Sequence, residues 1–307
     1  MYDRSKLVPD EERPWLKIDA SKIPDYVDPD MVLDFRNFLY VTWQHLNLPH
    51  PTPVQYDIAD YLQTRNEKRK IIEAFRGVGK SWITSAFVCW RLLINPQEKI
   101  LVVSASKQRA DDFSIFTKRL LGEMEILQHL APNDDQRNSN IAFDVAPSRA
   151  SHAPSVKSVG VTGQMTGSRA SLIIADDVES ANNSATQTQR EKLSETIKEF
   201  EAIIKPGGRI LFLGSPQTEM SIYSDLEERG YKTRIWPARY PSERLLEAYE
   251  TRLAPMVWEG TAENPEGAPV DPQRFSDQDL SEREASYGRS GFALQFMLDT
   301  SLSDQDK

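Results

Sequence analysis

The chain has 307 residues, of which 39% are hydrophobic and 27% charged, with a formal net charge of −9. This length predicts one substantial core and a smaller subdomain, and the acidic balance excludes a surface that is basic throughout. One cysteine and four scattered histidines provide neither a disulfide framework nor a zinc site. The charged, proline-broken N-terminus and the absence of a long apolar run predict a cytosolic protein without a membrane partner.

Strands and helices alternate after an irregular first fifty residues, which is typical of an α/β fold with a mainly parallel central sheet flanked by helices. The predicted elements in chain order are helix 51–63, strand 70–74, helix 81–94, strand 99–106, helix 107–121, short strands near 141–145 and 155–161, strand 171–177, helix 186–205 and strand 209–215. We assign 51–220 to a core. We expect 1–50 and 221–307 to form a small lid or linker subdomain, irregular over 254–277 before a short C-terminal helix.

The stretch "EAFRGVGKS", Glu73 to Ser81, joins a predicted strand to a predicted helix through a glycine turn. Phosphate-binding loops, G-x-x-x-x-G-K-[ST], need glycines because backbone N–H groups curl around phosphate oxygens, while the helix N-terminus adds positive charge. Ala74 stands where the motif opens with glycine, so an ordinary strand-to-helix turn is the alternative. The nucleotide-binding candidates are Gly77, Val78, Gly79, Lys80 as the cation and Ser81 as the magnesium-binding hydroxyl.

The stretch "SLIIADDVES" places two carboxylates at the end of an apolar strand, where parallel sheets present side chains to a phosphate loop. In such ATPases the first acid holds magnesium and the second polarises the attacking water. Asp176 therefore takes the metal role together with Ser81. Asp177 and Glu179 compete for the water-activating role, and a solvated acidic turn is the structural alternative.

A third stretch, "ILFLGSPQTEM", ends another apolar strand with polar residues. Ser215 and Gln217 are candidates for sensing the γ-phosphate and transmitting its loss to a neighbouring subdomain. Taken in order, the three stretches predict a P-loop NTPase of the RecA-like (ASCE) type that uses ATP and Mg²⁺.

These motifs, with "VKSVGVTGQMTGSRA", resemble the ATPase domain of the large terminase subunit of short-tailed, double-stranded DNA phages. The resemblance extends from about Pro51 to Leu298. It implies Mg²⁺-dependent ATP hydrolysis that drives double-stranded DNA into a procapsid. It also implies portal protein and small terminase subunit as partners, and a homo-oligomeric ring (a pentamer) docked at the portal in the cytoplasm of the infected bacterium. A monomer is the alternative for the isolated chain.

The resemblance also bears on individual residues of the loop region. Terminases tolerate a deviant phosphate loop and carry an arginine inside it, which Arg76 matches here. Their adenine-side glutamine upstream of the loop matches Gln55, for which a helix cap is the alternative.

Ring motors complete each site with an arginine from the adjacent subunit, because a cation is needed where charge develops on the transferred phosphoryl group. Arg169, in "GQMTGSRAS", is the first candidate, and Arg149, in "APSRASHAPS", is the second. The terminase pattern has its arginine a few residues before Arg169, where this chain has Met165 and Thr166. A plain surface arginine is the alternative for both.

Terminases carry a C-terminal nuclease domain, for which this chain has no room, so we expect no nuclease activity from it. Two other functions stay open on the sequence. A helicase-like DNA-dependent ATPase shares the motif order but needs a second motor domain. A non-catalytic module that binds nucleotide only to order its oligomer would not need both acids.

Overall fold

The computed structural model describes residues 2–7, 16, 18–64, 66–165 and 167–301. Within these residues, the strands are β1 Arg69–Ala74, β2 Ile100–Ser104, β3 Ala142–Phe143, β4 Val156–Gly160, β5 Ala170–Asp176, β6 Ile204–Gly214 and β7 Lys232–Trp236. The α-helices are α1 Pro29–Leu33, α2 Phe35–His45, α3 Pro53–Gln63, α4 Lys80–Ile94, α5 Lys107–Glu123, α6 Ala181–Ser184, α7 Gln187–Ile203, α8 Ile222–Glu228, α9 Glu243–Tyr249, α10 Pro255–Gly260 and α11 Asp277–Phe292. A π-helical turn, Ala293–Met297, continues α11.

The strands form one sheet in the order β3-β4-β2-β5-β6-β1-β7. Every neighbouring pair is parallel except β3 and β4, which are antiparallel. One strand, β6, therefore separates the strand before the glycine turn from the acidic strand. This order agrees with the predicted RecA-like class of α/β fold.

Helices cover both faces of the sheet. Side chains on successive strand residues point to opposite faces, so each apolar strand contributes to a core on both sides. Ile72, Val102 and Ile174 belong to a large apolar cluster with the N-terminal helices α1–α5. On the other face, Ile71, Val103, Ile173 and their neighbours pack with α7 and α8. Strands buried on both sides explain the nearly continuous apolar runs in the sequence.

The helix that follows the glycine turn, α4, is buried over most of its length. All its residues from Ile83 to Ile94 are buried. Its one buried arginine, Arg91, is paired with Glu98 at 2.8 Å, which offsets the cost of removing both charges from water. The burial of α4 anchors the loop that precedes it.

The structure differs from the predicted elements at several places. The β6 strand begins at Ile204 rather than 209, because Pro206 cannot donate a helical hydrogen bond and α7 ends at Ile203. The predicted irregular stretch over 254–277 contains the short helix α10. Residues 232–236 join the central sheet beside β1, so the range assigned to a lid also contributes one core strand.

No helix among the described residues is long and apolar enough to cross a membrane.

Candidate nucleotide site

The carboxyl ends of β1, β5 and β6 meet at one edge of the sheet. Glu73 is in register with Gly214, and Asp176 with Leu213. A cavity of about 460 Å³ opens at this edge. Its lining residues come from five separate stretches of chain: Arg76, Gly77, Gly79, Lys80, Ser81, Trp82, Arg109, Asp177, Glu179, Ser180, Ala181, Ser215, Gln217 and Gln295.

The turn between β1 and α4 depends on two glycines. Gly77 and Gly79 have φ angles of +92° and +98°, a backbone conformation that residues other than glycine rarely adopt. A Cβ on Gly77 would also lie 2.7 Å from the Phe275 ring. Ala74 is still in the strand, where no positive φ is needed, so alanine is acceptable at that position.

Lys80 points back under the turn, and its amine is bound on three sides. Its Nζ donates to the carbonyl oxygens of Ala74 at 2.8 Å and Phe75 at 3.4 Å, and to Ser215 Oγ at 3.1 Å. Burial lowers the pKa of Lys80, while the nearby Asp177 and Asp176 carboxylates oppose that shift. The amine is therefore held beside the cavity by neutral acceptors that an anionic ligand can outcompete.

Asp176 is buried next to Ser81, which lines the cavity. The neighbouring Ser81 hydroxyl acts to lower the pKa of Asp176, and Asp176 Oδ1 is buried without a hydrogen-bond partner among the described residues. Burial and the adjacent Asp177 raise the pKa of Asp176 to about 7. A carboxylate and a hydroxyl fit Mg²⁺, which typically takes one or two protein oxygens plus phosphates and water.

No group of three or more His, Cys, Asp or Glu side chains in the described part of the chain is arranged to hold a metal ion.

Asp177 occupies the cavity wall in an unusual backbone conformation, with φ +47°. Its N–H donates to the Leu213 carbonyl at 2.8 Å, which ties the acidic turn to β6. Its carboxylate lies 3.9 Å from the guanidinium of Arg109 on α5. Asp177 is thus partly exposed to the cavity and available to a water molecule there.

Glu179 is held quite differently. One carboxylate oxygen accepts from Gln217 N at 2.7 Å, and the other accepts from Ser221 Oγ and Ile222 N, each at 2.8 Å. Burial raises the pKa of Glu179, and these hydrogen bonds oppose the shift. Both oxygens are engaged with the loop after β6, which favours Asp177 over Glu179 as the water-activating acid.

The loop after β6 contacts the other two motifs directly. Ser215 Oγ donates to the Ala74 carbonyl at 2.8 Å and accepts from Lys80. Gln217 donates from its backbone to Glu179, and its side chain folds back onto the Ser215 carbonyl at 3.1 Å. The predicted coupling residues therefore contact both the glycine turn and the acidic strand.

Gln55 lies at the start of α3 and completes a capping box with Thr52. Its Nε2 also donates to the Val78 carbonyl at 2.8 Å, and the residue is 3% exposed. Gln55 thus caps α3, as the helix-cap alternative predicts, and in addition its side chain supports the glycine turn. Its predicted contact with adenine stays a prediction.

Five cavity residues, Trp82, Arg109, Ser180, Ala181 and Gln295, were not candidates in the sequence analysis. Two of them, Arg109 and Gln295, lie far from its motifs. Arg109 lies on α5, just beyond β2, and Gln295 lies in the π-helical turn after α11. Gln295 accepts hydrogen bonds from Arg76. Neither residue belongs to a local motif, so only the strand order and the path of the C-terminal segment could reveal them.

The two arginine-finger candidates lie at the opposite edge of the sheet. Arg169 immediately precedes β5, whereas Asp176 ends it, a separation of about 20 Å at roughly 3.3 Å per residue. Arg169 lines a second cavity, of about 520 Å³, with Lys157 and Lys205. Arg149 is also exposed, before β4. Arg169 therefore cannot reach the site in its own chain.

Comparisons with known proteins give relatives of this chain. The profile of the family described as terminase large subunit, T4likevirus-type, N-terminal, matches residues 71–198. The chain is 54% identical over 281 residues to the terminase large subunit of Enterobacteria phage T3. It belongs to the large terminase subunit family. That alignment covers 89% of this chain and 48% of the phage T3 terminase, so the chain spans about half the length of its relative.

Solved structures give more distant similarities to this terminase chain. The large terminase ATPase domain of Thermus phage P74-26 is 13% identical, with a TM-score of 0.45, over 84% of this chain and 96% of that domain. A yeast DEAD-box splicing factor is 13% identical, with a TM-score of 0.42, over 65% of this chain and 48% of the factor.

Proposed function

We propose that this chain is the Mg²⁺-dependent, ATP-hydrolysing motor domain of a large terminase subunit. The observation that carries the proposal is the convergence of Lys80, Asp177 and Ser215 on one cavity, with Asp176 buried beside Ser81, in a chain of this family. We propose that ATP hydrolysis by this motor drives translocation of double-stranded viral DNA into a procapsid.

In the proposed site, the backbone N–H groups of residues 77–81 and the N-terminus of α4 bind the nucleotide phosphates. Lys80 leaves its carbonyl acceptors for a phosphate oxygen, because a charged acceptor forms the stronger hydrogen bond. Ser81 and Asp176 would hold Mg²⁺, which supplies charge neutralisation on the phosphates. Gln55 fixes the turn from behind and is proposed to contact the adenine.

Asp177 is the proposed group that orients and deprotonates the attacking water. Its carboxylate faces the cavity and is not engaged by backbone donors, whereas both oxygens of Glu179 are. We assign Glu179 the role of linking the acidic turn to the loop of Ser215 and Gln217. Movement of that loop on loss of the γ-phosphate would then be passed to α8.

An arginine from an adjacent copy is proposed to complete the site, with Arg169 as the first candidate and Arg149 as the second. The distance between Arg169 and Asp176 within one chain supports action between subunits rather than within one. This requires a homo-oligomeric ring, proposed as a pentamer, at the portal of the procapsid in the bacterial cytoplasm. Portal protein and small terminase subunit are the proposed protein partners.

The test is steady-state ATP hydrolysis as a function of protein concentration, with and without double-stranded DNA. The parent is compared with Lys80→Ala, Arg169→Ala and Arg149→Ala. A specific rate that rises with concentration and is lost in Lys80→Ala and one arginine variant supports a shared site in a ring. Absence of Lys80-dependent hydrolysis under every condition would contradict the motor and favour a non-catalytic nucleotide-binding module.

A further inference from the structure

The π-helical turn near the C-terminal end of the described chain contacts the glycine turn through Gln295. Its backbone oxygen accepts from Arg76 N at 2.9 Å, and its side-chain oxygen accepts from the Arg76 guanidinium at 3.1 Å. Its Nε2 donates to the Pro216 carbonyl at 2.7 Å. Gln295 thus bridges the turn that binds phosphate and the loop that carries Ser215 and Gln217.

The π-helical turn around Gln295 serves three different parts of the fold. Three successive carbonyl oxygens, those of Gln295, Phe296 and Met297, accept from Arg76 N, Ala238 N and the Tyr249 hydroxyl respectively. A π-helical turn leaves such carbonyls outside the regular helical ladder, and these turns are frequent at functional sites. Displacement of Gln295 would therefore also disturb the hydrogen bonds of the same turn to Ala238, after β7, and to Tyr249, at the end of α9.

Arg76 has two possible partners in this geometry. Its guanidinium is exposed and lines the nucleotide cavity, and its side-chain partner there is the neutral amide oxygen of Gln295. A phosphate oxygen carries negative charge and accepts arginine hydrogen bonds more strongly than an amide does. A phosphate that enters the cavity beside the Ser215–Gln217 loop competes with Gln295 for Arg76.

We propose that Gln295 is the positioning residue for Arg76, and that their contact lets the C-terminal segment distinguish bound ATP from bound ADP. The terminal phosphate of ATP draws the guanidinium away from Gln295, and its loss returns Arg76 to the amide. The proposal rests on the proposed function, since it requires a nucleotide in this cavity.

The test is equilibrium binding of a non-hydrolysable ATP analogue and of ADP to the whole chain and to variants of Gln295. Gln295→Glu gives Arg76 a charged partner of nearly the same shape. We expect it to weaken binding of the ATP analogue by about tenfold or more and binding of ADP by less than about twofold. Gln295→Ala removes the competing acceptor, so we expect it not to weaken the ATP analogue.

Two controls separate positioning from structural support. In an Arg76→Ala background, Gln295→Glu should leave the ratio of ATP-analogue to ADP affinity unchanged, because its partner is absent. Gln278→Glu makes the same substitution at an exposed position of α11 and should leave both affinities unchanged.

Each outcome has a definite meaning. If Gln295→Glu and Gln295→Ala weaken both nucleotides equally, Gln295 only supports the fold and the inference is wrong. If the parent binds no nucleotide in a Lys80-dependent way, the proposed function fails and the inference fails with it. A selective loss of the ATP analogue that disappears in the Arg76→Ala background supports both.

Discussion

Lys80 Nζ donates a hydrogen bond to Ser215 Oγ at 3.1 Å, although the two residues are 135 positions apart. The contact joins the glycine turn to the end of the neighbouring strand β6. Both groups are buried, and a hydrogen bond to a buried charged group contributes more than a neutral one. The position of the Lys80 amine is therefore set by the loop after β6 as well as by its own helix.

Ser215→Ala should slow hydrolysis while leaving ATP binding nearly intact. Lys80 keeps its carbonyl partners but loses a hydrogen bond of about 1.5–3 kcal/mol. We expect kcat to fall about tenfold or more, with less than about a threefold change in ATP affinity, measured by steady-state kinetics and equilibrium binding. Ser290→Ala, at an exposed position of α11, is the matched control. An unchanged kcat in Ser215→Ala would show that this contact has no part in turnover.

Asp177→Asn and Glu179→Gln should separate the two candidate acids. Loss of a general base costs about 10²–10⁴-fold in rate, so we expect Asp177→Asn to abolish most turnover with normal ATP binding and stability. Glu179→Gln places an amide N–H₂ against backbone donors and should lower the free energy of unfolding by about 1–3 kcal/mol.

Hydrolysis assays and urea unfolding measure both effects, with Asp112→Asn on the exposed face of α5 as the control. The opposite result, a stable Glu179→Gln without turnover beside an active Asp177→Asn, would transfer the role of base to Glu179.

Glu73, at the end of β1, should make stability depend on pH. Burial and the nearby Glu227 raise its pKa from 4.5 to about 8. The folded state therefore binds the proton more tightly than the unfolded state, so this contribution to stability is lost as pH rises from about 4.5 to above 8. Glu73→Gln, which cannot ionise, should be more stable than the parent at pH 9 by at least about 1 kcal/mol.

Urea unfolding at pH 5 and pH 9 measures the free energy of unfolding of Glu73→Gln and of the parent. We expect the extra stability of Glu73→Gln to be smaller at pH 5 than at pH 9. Glu228→Gln on the exposed end of α8 should behave like the parent at both. A constant difference between Glu73→Gln and the parent at the two pH values would exclude ionisation of Glu73 as the cause.

Arg109→Ala should reduce hydrolysis without destabilising the protein. Arg109 lies 3.9 Å from Asp177 and adds positive charge to the cavity. An exposed ion pair contributes at most about 1 kcal/mol to stability, but a cation lost near the phosphates should lower kcat/KM about tenfold. Steady-state kinetics at low and high salt test the expected loss of kcat/KM, with Arg119→Ala on the same helix as the control. Equal kinetics in the two variants would remove Arg109 from the site.

Much of this fold could be predicted from local signals. The alternation of apolar strands with helices predicts the mainly parallel sheet, and the "GVGKS" turn predicts the position of the loop between β1 and α4. These features depend on residues within a few positions of one another. The backbone requirement at Gly77 and Gly79, for example, is a property of the turn itself. The ends of β1, β5 and β6 also meet as predicted, because parallel strands bring their carboxyl ends to one edge.

Pairings between distant residues could not be predicted in this way. The engagement of both Glu179 oxygens by residues 217–222, the placement of Arg109 beside Asp177 and the bridge from Gln295 to Arg76 each depend on strand order and chain path. Short polar side chains and a single glutamine carry no periodic signal in the sequence. The sequence by itself therefore determined the class of fold and the motif residues, whereas the tertiary structure decided how each carboxylate is hydrogen-bonded, since that depends on which distant donors packing brings within about 3 Å.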